Sequence, residues 1–268
     1  MQFNILGPLE VRDGEIDMTP TPPKVRAVLG LLLLRANQVV AIDTLVEELW
    51  GDEPPRSAVT TAQTYIYHLR RAFGQSEVTP GQREWLVTAA PGYMMRVGHD
   101  QLDAQAFDRL TWEGRQRLER GEAEEAGKLL RRALQLWRGP ALANVTAGSL
   151  LTAHAVHLEE ERLRALQLRI MADAELGQYH ALIGELRSLV AAHPLNEWFH
   201  GQLIVALSRC GRRSEALQAY QVLRTVLREE LGLDPQPELQ RLHQEVLTYD
   251  IQKAPNFALP PAASLASV

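Results

Sequence analysis

Cysteine is almost missing from this chain: Cys210 is the only one in 268 residues, so no disulfide can form within it. That fits a reducing compartment. Long apolar runs are missing too. The longest, residues 28–34, is interrupted by Gly30 and ended by Arg35, well short of the ~20 residues a membrane helix needs. The N-terminus, Met1-Gln2-Phe3-Asn4-Ile5-Leu6-Gly7, places no basic segment ahead of an apolar stretch. No secretory signal is read there, and a cytoplasmic protein without membrane contact is expected.

A surplus of positive charge is also lacking. Residues 1–98 hold nine Lys/Arg against eleven Asp/Glu, a balance of −2, and the remainder stands at −3. Any nucleic-acid role must therefore rest on local charge placement. No glycine loop with a phosphate-binding lysine occurs. No nucleophile stands beside a general base, so no catalytic residue is assigned, no enzyme is expected and no cofactor is called for. His154 and His157 precede Glu159, Glu160 and Glu161 and mimic part of a metal site. Further ligands at a known spacing are lacking, so no metal site is assigned.

What is present is the composition of a folded protein, 46% hydrophobic and 23% charged, with length for two domains. The first third mixes strand and helix signals. Residues 3–6 and 9–11 flank Gly7-Pro8, and Asp13-Gly14 marks a hairpin turn before Ile16. After Pro20, Pro22 and Pro23, residues 24–36 carry Val25, Val28, Leu29, Leu32 and Leu33 at helical spacing. A second helix is expected from Asp43 or Thr44, with Thr44 and Glu47 forming a capping box, and it stops at Gly51. Pro54-Pro55-Arg56-Ser57 stiffens a loop, with Ser57 the N-cap of a third helix over residues 58–73. Residues 85–88 and 93–97 then form a hairpin around Ala89-Ala90-Pro91-Gly92. Trp50, Trp85 and Tyr93 are read as packing residues. Sheet, three helices and hairpin in this order describe a winged helix over residues 1–98.

From Gln101 onward helical periodicity takes over, with helices expected at 104–119, 122–137, 155–176, 178–192, 196–210, 212–231 and 236–249. Gly121, Gly177 and Gly211 separate helices, and the last two lie 34 residues apart, the period of tetratricopeptide pairs. The longer first interval implies an insertion around residues 138–153. Residues 99–250 are read as an all-α repeat domain with a shared core and Cys210 on its buried stripe. Residues 251–268 are expected to be a disordered tail.

The third helix carries the functional signal. From Pro54 to Ser76, 23 positions, there is no Asp or Glu. Val59, Ala62, Ile66, Leu69 and Phe73 form the expected buried face. Thr60, Thr61, Gln63, Thr64, Tyr67, His68, Arg70 and Arg71 remain outward, able to donate to base edges or phosphates and to touch thymine methyls. The hairpin would be a wing, with Thr88 and Arg96 as candidates for phosphate or minor-groove contact; for Arg83 and Arg96 a solvated surface role is as open as a DNA role. A purely solvated face is the alternative, though such a face usually carries carboxylates as well.

The segments 32–40, 45–55 and 63–73 and Pro91-Gly92-Tyr93 resemble the Streptomyces antibiotic regulatory protein family. Phe107, Trp137-Arg138-Gly139, Leu158-Glu159-Glu160-Glu161-Arg162 and Glu230-Leu231-Gly232-Leu233-Asp234-Pro235 resemble that family's bacterial transcriptional activation domain. The resemblance spans about residues 1–250. It implies a nucleoid-associated transcriptional activator that binds direct repeats in double-stranded DNA, a second copy of itself, and RNA polymerase with its sigma factor. It further implies control of a secondary-metabolite gene cluster by a short member lacking the ATPase and sensor regions of the large ones. Tyr67 and His68 depart from the smaller residues common among relatives. The rival reading is a helical-repeat adaptor or ligand sensor whose winged helix docks protein.

Overall fold

A computed structural model describes residues 1–74, 84–98 and 100–248. Arg83 and the tail beyond residue 250 lie outside the described residues. The chain opens with β1 (Gln2–Asn4), β2 (Glu10–Asp13) and β3 (Ile16–Asp17), an antiparallel sheet in that order. Phe3 pairs with Val11, and both side chains are fully buried. Three helices follow, α1 (Pro23–Leu34), α2 (Ile42–Trp50) and α3 (Ala58–Ala72), with the two-residue strand β4 (Val40–Ala41) running straight into α2. The hairpin consists of β5 (Leu86–Ala89) and β6 (Gly92–Met95), and β4 joins it in the order β4-β6-β5.

Then come seven helices: α4 (Asp103–Glu119), α5 (Ala123–Gln135), α6 (Ser149–Glu175), α7 (Tyr179–Ala192), α8 (Glu197–Arg209), α9 (Arg213–Leu231) and α10 (Pro237–Thr248). The fold is thus an N-terminal winged helix followed by an all-helical repeat region. Among the described residues no helix is long and apolar enough to cross a membrane.

Packing divides the chain into two compact units. The first comprises Met1–Arg120 and Lys128–Leu166. Its core joins Phe3, Leu9, Leu29, Leu32, Leu45, Ile66 and Leu86 to Phe107, Leu142 and Leu151. The junction is polar as well. Asp103 in the first turn of α4 accepts the amides of Ile5 and Leu6 at 2.8–2.9 Å. Asn144 exchanges two hydrogen bonds with the backbone of Leu9. The amide of Arg138 donates to the Leu6 carbonyl at 2.8 Å, and its guanidinium reaches Glu10 at 2.9 Å. Compactness therefore carries the first unit well past residue 98.

The second unit comprises Gly121–Gly127 and the described residues from Gln167 onward. Gly177 and Gly211 both adopt left-handed φ, +72° and +73°, the conformation that ends a helix most cheaply at glycine. The 34-residue spacing therefore marks equivalent turns within two successive helix pairs, α6–α7 and α8–α9. Phe199, Leu203 and Ala206 of α8 and Ala216, Tyr220, Leu223 and Leu227 of α9 are buried. Arg169, nearly buried, is neutralised by Asp173 at 2.9 Å and by Glu185. Cys210 is the C-cap of α8 and half-buried.

Four local expectations need correction. No capping box starts α2: the helix begins at Ile42 with Ala41 at the cap and no side-chain cap bond. The Ile42 amide instead donates to the carbonyl of Pro91 in the hairpin turn, at 3.3 Å. Ser57 occupies the cap position of α3 but its side chain makes no cap bond. Helix α6 begins at Ser149, six residues ahead of the expected start, because Glu48 of α2 satisfies the amides of its first turn. Val59 is not core: it is 45% exposed, and Ala58 takes the buried place with Ala62, Ile66, Leu69 and Phe73.

Candidate nucleic-acid interface

Helix α3 is 15 residues long, about 22 Å at 1.5 Å per residue. It packs on α1 and α2 through Ala58, Ala62, Ile66, Leu69 and Phe73, all 5% exposed or less. With that stripe inward, Thr60, Gln63, Thr64, Tyr67, His68 and Arg71 are exposed, and Thr61 is half-buried. Tyr67 is 55% exposed and meets the His68 ring edge-on at 6.0 Å. No carboxylate lies anywhere on the helix. Its outward surface is a field of hydroxyls, one amide, one imidazole and one guanidinium, with the exposed Val59 near its start and no acid to repel phosphate.

Arg70 serves a different end. It is half-buried, and its Nε and one terminal nitrogen donate to the Leu86 carbonyl at 3.2 Å. The same terminal nitrogen donates to Thr88 Oγ1 at 2.7 Å, and the guanidinium lies 5.8 Å from the Tyr93 ring centre. Arg70 and Thr88 therefore form a clasp between the outward helix and the hairpin.

The hairpin is held at two further points. Gly92 pairs with Ala41, and a Cβ on Gly92 would sit 1.9 Å from the Val40 carbonyl oxygen. Only glycine permits that approach. At the other end Asn37, with φ of +65°, donates its amide to Met95 O at 2.8 Å. Its side chain exchanges two 3.0 Å bonds with the backbone of Val97. Trp85 meets Phe3 edge-on at 5.6 Å, and Trp50 stacks on Tyr65 beneath the Lys24 ammonium. These aromatics pack, as does Tyr93.

The structure does not bring Arg96 and Thr88 together. Register pairs Thr88 with Tyr93 and Leu86 with Met95, so Arg96 falls beyond the last pair, about 10 Å along the strand from Tyr93 at ~3.3 Å per residue. Alternation also turns it to the opposite face. Arg96 is exposed there. Sequence reasoning missed Gly92 and Asn37, which hold the hairpin, and Glu48, which caps α6. Asn37 had a local signal, since asparagine tolerates left-handed backbone after a helix. Glu48 had none, because its partners lie 100 residues away.

Two family models match this chain: "Transcriptional regulatory protein, C terminal" over residues 15–95 and "Bacterial transcriptional activator domain" over residues 102–247. The Regulatory protein DnrI of Streptomyces peucetius is 42% identical over 268 residues, covering 98% of both chains. The Regulatory protein AfsR of Streptomyces griseus is 36% identical over 95% of this chain, which spans 25% of that relative's length. The solved structure of Mycobacterium tuberculosis EmbR in complex with a low affinity phosphopeptide aligns with a TM-score of 0.86 and 32% identity, over 92% of this chain and 65% of that one. With a winged helix whose outward helix excludes acids, both domain models in order and a relative matched along its whole length, this chain belongs to the Streptomyces antibiotic regulatory protein family of DNA-binding transcriptional activators.

Proposed function

We propose that the chain switches on a secondary-metabolite gene cluster by binding direct repeats beside a promoter and recruiting RNA polymerase there. The observation that carries the reading is the outward face of α3, free of carboxylates and rich in exposed donors. Thr60, Thr61, Gln63, Thr64, Tyr67, His68 and Arg71 would enter the major groove, whose width admits one helix. Arg70 and Thr88 would hold the wing at a fixed distance from it, and Arg96 would meet phosphate from the opposite face of the hairpin. Residues 1–98 then carry DNA recognition, and the helices after residue 99 offer surface to polymerase and to a second copy.

Gel retardation on promoter DNA across a salt series tests this. Binding through several phosphates should lose affinity steeply as salt rises, by ion release. A protein-docking winged helix would show neither specific retention nor a salt slope. For paired copies on a direct repeat, inserting about five base pairs between half-sites, half a helical turn, should abolish cooperative binding.

A further inference from the structure

Val59 is the second residue of α3 and the one apolar side chain on that helix's first two turns that solvent reaches broadly, at 45%. Apolar periodicity assigns it to the core, yet Ala58 fills that place and the helix packs through small Ala58 and Ala62 at this end. Val59 shares a flank with Gln63, one turn on, and lies among Thr60, Thr61 and Gln63, none of them acidic. Helical side chains lean toward the N-terminus, so the two methyls of Val59 project past the first turn. That is the end of a recognition helix that meets base edges in helix-turn-helix docking. Its β-branch leaves essentially one χ1 rotamer in a helix, so little freedom is lost on contact.

The major groove presents one apolar group, the C5-methyl of thymine. We propose that Val59 is a specificity-determining residue that packs against a thymine methyl in the operator and so selects thymine over cytosine at that position. The proposal rests on α3 being the groove helix.

The test replaces each thymine of the operator in turn by deoxyuridine, which deletes only the methyl. Each probe is titrated with the full chain, with Val59→Ala and with Val59→Thr, after thermal unfolding confirms that the variants are folded. At one or two positions the intact chain should bind deoxyuridine about fourfold more weakly, the worth of roughly one buried methyl. Val59→Ala should lose a similar factor on the unmodified operator and nothing more at that position. Val59→Thr, which keeps one γ-methyl, should retain a smaller dependence. The proposal is overturned if every substitution acts equally on the intact chain and on Val59→Ala. Should Gln63→Ala then still abolish specific binding, α3 reads DNA without Val59. Should no α3 variant change specific binding, the assignment of the groove helix falls with it.

Discussion

Glu48, buried within α2, accepts the backbone amide of Gly148 immediately before α6 begins. Its second oxygen takes the amides of Leu150 and Leu151 at 2.9 and 3.2 Å. The first amides of a helix have no partner within it, and a negative charge there also complements the helix dipole. Gly148 is required by the same approach, since a Cβ on it would lie 2.3 Å from the Glu48 carbonyl oxygen. Helix α2, which packs against α3, thus supplies the cap of α6.

Glu48→Gln should therefore destabilise the chain by about 1–3 kcal/mol, because one acceptor oxygen becomes an NH2 group facing an amide donor. Urea unfolding measures the loss. Hydrogen exchange should quicken first at Leu150 and Leu151. Equal stability and unchanged exchange would mean that the cap contributes nothing.

Two glycine substitutions should have opposite signs. Gly92→Ala forces a Cβ to 1.9 Å from Val40 O, which breaks the β4–β6 pairing and displaces the wing. Stability and DNA affinity should fall together. Gly184→Ala, exposed within α7 with nothing near its added Cβ, should stabilise by about 0.5–1 kcal/mol through helix propensity. Matched melting curves of the two variants check both signs.

Apolar periodicity and glycine stops place nine of the ten helices among the described residues within a few residues of where they lie, because both signals act locally. What the sequence hid depends on distant partners. The start of α6 needs Glu48, and the start of α2 needs the Pro91 carbonyl. Strand β4 is too short, at two residues, to show alternation. Val59 misled because a regular apolar spacing is satisfied equally well by Ala58, and only the packed neighbours decide which turns inward. Arg70 and Arg71 look equivalent in sequence, yet one turns to the hairpin and the other to solvent.

That difference is measurable. Arg71→Ala should keep its stability and lose DNA affinity. The loss is about 1–3 kcal/mol if a bidentate base contact goes, or a salt slope lower by about one if it is a phosphate contact. Arg70→Ala should weaken DNA binding only together with stability, by about 1 kcal/mol, since its bonds to Leu86 and Thr88 are half-exposed. Indistinguishable stability in the two variants would refute the clasp.

Acid should loosen the helical repeats through His200. Burial pushes its pKa below 6.5, against the opposing bond to Pro194. A carbonyl only accepts, so Nε2 carries the proton given to Pro194 O at 3.0 Å. As pH falls through 6.5 the unfolded chain takes up a proton that the folded chain refuses, and stability drops until the folded pKa is passed. His154 and His243 shift the same way for the same first cause. His200→Gln should therefore unfold with a shallower pH dependence between pH 7.5 and 5, though not a flat one. An unchanged slope would show that His200 is protonated in the folded state as readily as in the unfolded one.

The last prediction separates recognition from packing. A fragment of residues 1–98 contains every side chain proposed to touch DNA, but it lacks Asp103, Arg138, Asn144 and the amides that Glu48 caps. Ile5, Leu6 and Leu9, all fully buried, would lose backbone partners supplied by those residues. The Glu48 carboxylate would lose all three of the amides it accepts from Gly148, Leu150 and Leu151. Each buried polar group left unpaired costs about 1–3 kcal/mol, and a domain of this size has only about 5–15 kcal/mol in total. Residues 1–98 should therefore unfold at much lower urea than residues 1–175, which keep the whole first unit and complete α6. The longer fragment should bind operator DNA specifically yet fail to activate transcription in vitro, because it lacks α7 to α10. Equal stability of the two fragments would show that the junction contributes nothing. Activation by residues 1–175 at the level of the full chain would remove the helices after Glu175 from the activating surface.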